Sequence, residues 1–113
     1  MRCNFAVMSF RFMRIIVFFD LPTETAADRT AYRQFRTFLI KEGFIMMQKS
    51  VYFKLALNGS TVELVKRHLA NQVPAKGTVQ IMVITEKQFA DIVYLVGENK
   101  SQVIDSVDKY ILV

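Results

Sequence analysis

At 113 residues the chain makes one domain, and its 52% hydrophobic content excludes intrinsic disorder. No apolar run approaches the ~18 residues of a membrane span, and Asn4, Ser9, Arg11 and Arg14 interrupt the N-terminus too often for a signal peptide. Fifteen Lys and Arg against ten Asp and Glu give a net charge of +5, which favours a polyanionic partner without identifying it. The lone Cys3 cannot form an internal disulfide, so a reducing cytoplasm is the expected compartment.

The first predicted strand covers residues 12–19, where "IIVFF" reads as buried. Asp20 stands at its exit, and Pro22 ends it. Thr23 or Thr25 can cap the helix that follows, with Glu24 and Asp28 suited to its positive end. That helix spans about 26–42 and stops at Gly43; Ala31, Tyr32, Phe35, Phe38 and Leu39 share its core-facing arc. "FIMMQ" and "SVYFKLAL" are two further strands, separated by a polar break at Lys49. Asn58 and Gly59 turn the chain, and Ser60 with Glu63 makes a capping box for a second helix reaching about Gln72. Its buried stripe is Val62, Val65, Leu69 and Val73. Pro74 and Gly77 break it, and "TVQIMVIT" is strand four. "EKQFADI" reads as one helical turn before a short apolar piece, "VYLVG". Three segments are expected: residues 1–9 as an N-terminal extension, 10–97 as the folded domain, and 98–113 as a tail that alternates weakly. The tail is a candidate edge strand or partner contact.

The order strand, helix, strand, strand, helix, strand is the split βαβ unit of an α+β, ferredoxin-like sandwich. Two helices cover one face of a four-stranded sheet. The other face should then alternate apolar and polar residues, yet "IIVFF", "FIMM" and "IMVI" are apolar on both sides. A second copy packed sheet against sheet is the simplest cover, giving a two-fold homodimer.

Asp20 is the one acid placed at a core strand. A turn aspartate accepting backbone hydrogen bonds before Pro22 is the plain reading. In a face-to-face dimer, two Asp20 carboxylates could instead approach across the axis and hold a divalent ion over a phosphate. Arg29, Arg33 and Arg36 form a stripe on helix one, opposite its apolar arc. With Arg11, Arg14 and Lys76 they could hold a phosphate backbone without reading bases, although a solvated helix face would look the same. His68 is the only histidine, so zinc spacing is absent, as is a glycine-rich phosphate loop.

At these residues the sequence resembles the CRISPR-associated protein two family, the small subunit of the CRISPR spacer-acquisition machinery, and is most similar to its type II-A branch. The resemblance covers about residues 10–97. It rests on "MRIIVFFDLPTET", on "ADRTAYRQFRTFLIKEGF", on the Gln-x-Ser-Val-aromatic motif of Gln48, Ser50, Val51 and Tyr52, and on "ITEKQFADIVYLVG". It implies a ferredoxin-like homodimer that binds double-stranded DNA and bridges dimers of the CRISPR integrase, CRISPR-associated protein one. It also implies a Mg²⁺-dependent endonuclease role for DNA or RNA. In that role Asp20 is the metal ligand and catalytic acid, and Arg29, Arg33, Ser50 and Gln48 support it. Phe53 and Lys54 stand where many members carry an additional acid. Two further readings compete: a stand-alone, toxin-like Mg²⁺-dependent endoribonuclease, and a small-molecule-sensing ferredoxin-like domain. The arginine stripe argues against the latter.

Overall fold

The structure, a computed structural model, describes residues 12–97. Its elements are β1 (Met13–Asp20), α1 (Ala26–Lys41), β2 (Ile45–Gln48), β3 (Val51–Ala56), α2 (Gly59–Ala70), β4 (Thr78–Thr85) and α3 (Glu86–Ala90). The four strands form one sheet in the order β2-β3-β1-β4, with every neighbouring pair antiparallel. This is the expected α+β, ferredoxin-like arrangement. The expectations for residues 1–9, for Arg11 and for the tail 98–113 lie outside the described residues.

β1 is central, so both its faces need cover. Its odd-numbered residues Ile15, Val17 and Phe19 point to the helices, where they pack with Phe35 and Leu39 of α1 and Val62, Val65 and Leu69 of α2. The expected helix stripes are therefore observed, except at Val73. It is 45% exposed, because α2 ends at Ala70 and the chain has already turned away. The cap of α2 also differs from expectation. Asn58, not Ser60, accepts the Thr61 N–H, at 2.9 Å, while Glu63 pairs with Lys66 at 3.5 Å. Asn58 is as good a cap as Ser and stands earlier, so the helix begins at Gly59.

The even-numbered residues Arg14, Ile16 and Phe18 face the other way. Part of this second face is covered from within the chain, by α3. Phe89 lies 5.1 Å from the Phe53 ring, and both are buried with Ile16. Arg14 was expected among the phosphate-binding cations. The structure instead stacks its guanidinium 4.3 Å over Phe89 and 4.9 Å over Phe53, and pairs it with both carboxylate oxygens of Glu86. This ion pair and the aromatic contacts fasten α3 to the sheet. The described residues leave the rest of the face uncovered. Phe18, Met47, Val51, Met82, Ile84 and Ile92 line an apolar groove of about 230 Å³, and Met82 is 46% exposed. Among the described residues nothing covers this groove.

Removing Glu86 strands the Arg14 charge between two rings. Glu86→Ala is expected to cost roughly 1–2 kcal/mol in urea unfolding, less than a fully buried pair because Glu86 is 36% exposed. Replacing both partners, as Arg14→Met with Glu86→Leu, should restore most of that loss.

Candidate metal and nucleic-acid site

Asp20 is the last residue of β1, one position later than the sequence pattern places the strand end, and it pairs with Thr78 of β4. Its position is fixed by its neighbours. Phe19 packs against three rings, Tyr32 at 5.8 Å, Phe35 at 5.3 Å and Tyr52 at 5.7 Å. Each such contact adds about 0.5–1.5 kcal/mol beyond the area it buries. The Phe19 N–H donates to the Ser50 carbonyl at 3.0 Å, tying the strand exit to the β2–β3 turn. Ser50 holds φ at 67°, in the left-handed region that costs a side-chain-bearing residue about 1 kcal/mol. Its observed contribution is therefore made by its backbone. Gln48 pairs with Val51 across that turn and borders the apolar groove.

Asp20 itself follows Phe19 and so faces away from the helices, toward the open side of the sheet. The carboxylate is exposed, and among the described residues no backbone or side-chain group donates a hydrogen bond to it. The capping and turn bonds that a strand-end aspartate would accept belong to other residues. Thr25 and Asp28 form the capping box of α1, with the Asp28 N–H donating to Thr25 Oγ1 at 3.0 Å and the Thr25 N–H to Asp28 Oδ2 at 3.2 Å.

The cations divide by what already holds them. Arg29 is exposed, and one of its terminal nitrogens donates to the Thr23 and Glu24 carbonyls at 3.1 Å each, bracing the loop after Asp20. Arg33 is exposed and donates to Thr30 Oγ1 at 3.3 Å; it lines a shallow groove with Thr37 and Lys41. Arg36 shares the stripe, but its Nε donates to the hydroxyl of buried Tyr52 at 3.0 Å. Lys76 lies 3.5 Å from the buried Asp28 carboxylate while its own side chain is 70% exposed. Arg29 and Arg33 are thus the stripe members whose guanidinium groups reach solvent with only local partners. The T-x-x-D spacing at Thr25–Asp28 signals the capping box in sequence; nothing in sequence signals the Arg36–Tyr52 bond.

Among the described residues no group of three His, Cys, Asp or Glu side chains could hold a metal ion. At the strand exit the described residues offer one solvent-open carboxylate, that of Asp20. Divalent cations of the magnesium class take one or two carboxylates and complete their shell with water and phosphate oxygens. The Asp20 carboxylate would supply one such ligand and leaves the remaining positions to groups outside the described residues.

A family model described as CRISPR associated protein Cas2 matches residues 13–92. The chain is similar to the CRISPR-associated endoribonuclease Cas2 of Streptococcus mutans serotype c, 49% identical over 94 residues that cover 83% of this chain and 86% of the relative. It is also similar to the protein of that name from Ligilactobacillus salivarius, 41% identical over 100 residues, 88% and 99% of the two chains. A solved crystal structure of a Cas2 protein superposes with a TM-score of 0.55 at 23% identity, covering 80% of this chain and 92% of the other. That likeness bears on the fold.

Two outcomes follow from the local geometry. Arg36→Ala leaves the buried Tyr52 hydroxyl without its donor and should cost about 1–3 kcal/mol in denaturant unfolding, whereas in a Tyr52→Phe background the same change should cost far less. The Asp28 carboxyl is held below the ordinary aspartate value, first by the Thr25 backbone N–H, against desolvation, and then by the Thr25 hydroxyl and Lys76. A lowered folded value means stability that is full above the ordinary carboxylate range and lost as pH falls through it. The stability advantage over Asp28→Asn, followed by thermal unfolding against pH, should therefore be greatest at neutral pH and vanish in acid.

Proposed function

The chain belongs to the CRISPR associated protein Cas2 family, and we propose that it serves CRISPR adaptation in the cytoplasm as a homodimer. In this reading the dimer binds duplex DNA through a basic surface and bridges dimers of the integrase, CRISPR-associated protein one, during spacer insertion. The observation that carries it is the open half of the sheet's second face. An apolar groove lined by exposed Met82 is costly to leave wet, and a second copy would offer it a face of the same apolar composition. Such an interface should bury more than ~1,000 Å² in total. Arg29 and Arg33, with Lys41 beside them, would hold the phosphate backbone regardless of sequence.

A second activity is favoured by the exposed Asp20 carboxylate, unpartnered among the described residues: metal-dependent phosphodiester cleavage, of RNA or DNA, at the dimer rim. Relatives of this chain carry the name endoribonuclease. Asp20 from each copy would hold Mg²⁺, which when bound polarises the phosphate and activates water. Asp20 fixes where the ion sits, and Arg29 and Arg33 orient the strand. With one carboxylate per chain, the ion is weakly held and cleavage is slow. Integration does not require this chemistry.

The test is paired. Asp20→Asn keeps the side chain's shape and removes its charge, so Mg²⁺-dependent cleavage should disappear while spacer acquisition in cells continues. Loss of acquisition with cleavage intact would reverse the assignment. Arg29→Ala with Arg33→Ala should weaken binding to unrelated duplexes equally and flatten the salt dependence by about 2 units of slope. An unchanged slope would return the stripe to a solvated helix face.

A further inference from the structure

No hydrogen bond among the described residues restrains the Asp20 carboxylate, so whatever aims it must act through its backbone. On one side that is the Ser50 carbonyl, which accepts the Phe19 N–H. On the other it is the loop between α2 and β4, which crosses directly over the strand exit. Gly77 makes this crossing with φ of +92°. A Cβ there would stand 2.6 Å from the Asp20 carbonyl oxygen, 2.8 Å from Leu21 Cδ2 and 3.1 Å from Leu21 Cα. Two of these contacts are to backbone, which cannot swing aside as a flexible side chain can. Position 77 therefore demands glycine twice over, for its dihedral and for its clearance.

The loop needs a second anchor, because packing beneath it is incomplete. Leu21, Pro22, Ala27, Ala31, Pro74 and Ala75 line a half-open apolar cavity of about 200 Å³ between this loop and the start of α1. The anchor is Lys76, whose ammonium lies 3.5 Å from Asp28 Oδ1. Asp28 is buried and already locked to Thr25 by the capping box. The clasp thus joins the residue before Gly77 to the first turn of the helix that follows Asp20.

We propose that Gly77, held down by the Lys76–Asp28 ion pair, is a positioning residue for the Asp20 carboxylate: it lets the loop clamp the Asp20 backbone while leaving the carboxylate free for a metal ion. The functional half of this statement rests on Asp20 being the metal-holding acid; the clamp itself does not. It assigns Lys76 to the fold rather than to phosphate. It also makes Asp28, a buried capping residue, a determinant of turnover.

The experiment compares the full chain with Gly77→Ala, Gly77→Asn, Asp28→Asn and Lys76→Gln. Asparagine tolerates positive φ but carries a Cβ. If clearance matters, Gly77→Asn behaves like Gly77→Ala; if only the dihedral matters, it behaves like wild type. Amide hydrogen exchange is read at Phe19, Asp20 and Thr78, and cleavage is measured at saturating Mg²⁺. The clamp predicts exchange faster by about tenfold or more at those amides in both glycine variants. It also predicts a kcat lower by about 100-fold with KM for the nucleic acid little changed, the effect of misplacing a reacting group by ~1 Å. Asp28→Asn keeps an acceptor for the cap and leaves Lys76 charged, so it should lower kcat in the same direction as Lys76→Gln. A rise in KM confined to Lys76→Gln would make Lys76 a phosphate ligand and overturn its place in the clasp. Wild-type exchange and kcat in both glycine variants would overturn the clamp. Should neither glycine variant fold, unchanged exchange and kcat in Asp28→Asn and Lys76→Gln would overturn it equally. A wild-type chain that cleaves nothing sinks the nuclease reading alone, and the exchange pattern still decides for or against the clamp.

Discussion

A four-stranded sheet has two faces, and among the described residues two long helices cover one of them. β1 sits in the middle of the sheet with apolar residues on both sides, so the second face has to be covered by other means. The fold answers in two ways. The short helix α3 closes one end of the face, with Arg14 and Glu86 fastening Phe89 over Phe53. The described residues leave the other end open as the groove around Phe18 and Met82. Both the functional reading and the placement of Asp20 descend from that imbalance. The acid lies on the open side, at the end of the strand that most needs a partner.

The candidate site is built from backbone rather than from side-chain bonds. Phe19 is wedged among three rings, the Ser50 carbonyl takes its N–H, and Gly77 lies across the Asp20 carbonyl. These restraints hold the residue without occupying its carboxylate. A metal ligand needs that combination: a fixed origin and free oxygens. The cations follow a different rule. Arg14, Arg36 and Lys76 are engaged by Glu86, Tyr52 and Asp28, so the charge directed at solvent is narrower than the composition suggests. A charge of +5 favours attraction of polyanions but says nothing of which cations are already engaged within the fold.

The elements were legible because their signals are local. The apolar run at Ile15–Phe19, the terminator Gly43 and the β-rich run "TVQIMVIT" each depend on near neighbours, and the strands and the helix end stand where they were read. The cap of α2 was misplaced because Asn58 and Ser60 are both competent caps, and which one acts depends on where the preceding strand releases the chain. Asp20 was readable as an acid at a strand exit. What was not readable is everything that joins distant segments. Arg14 meets Glu86 across 72 positions, and Arg36 meets Tyr52 across 16. Gly77 reads as a helix breaker in sequence; its close approach to Asp20 exists only once β1 and β4 are paired.

The central claim is that the open half of the sheet is an interface between two copies, with Asp20 at its rim. Sedimentation equilibrium of the full chain at micromolar concentration tests it most directly, alongside a variant with a charge in the groove, Met82→Lys. The account predicts a dimer for the wild-type chain and a folded monomer for the variant. A wild-type chain that stays monomeric, or a Met82→Lys chain that dimerises as tightly as wild type, would contradict it.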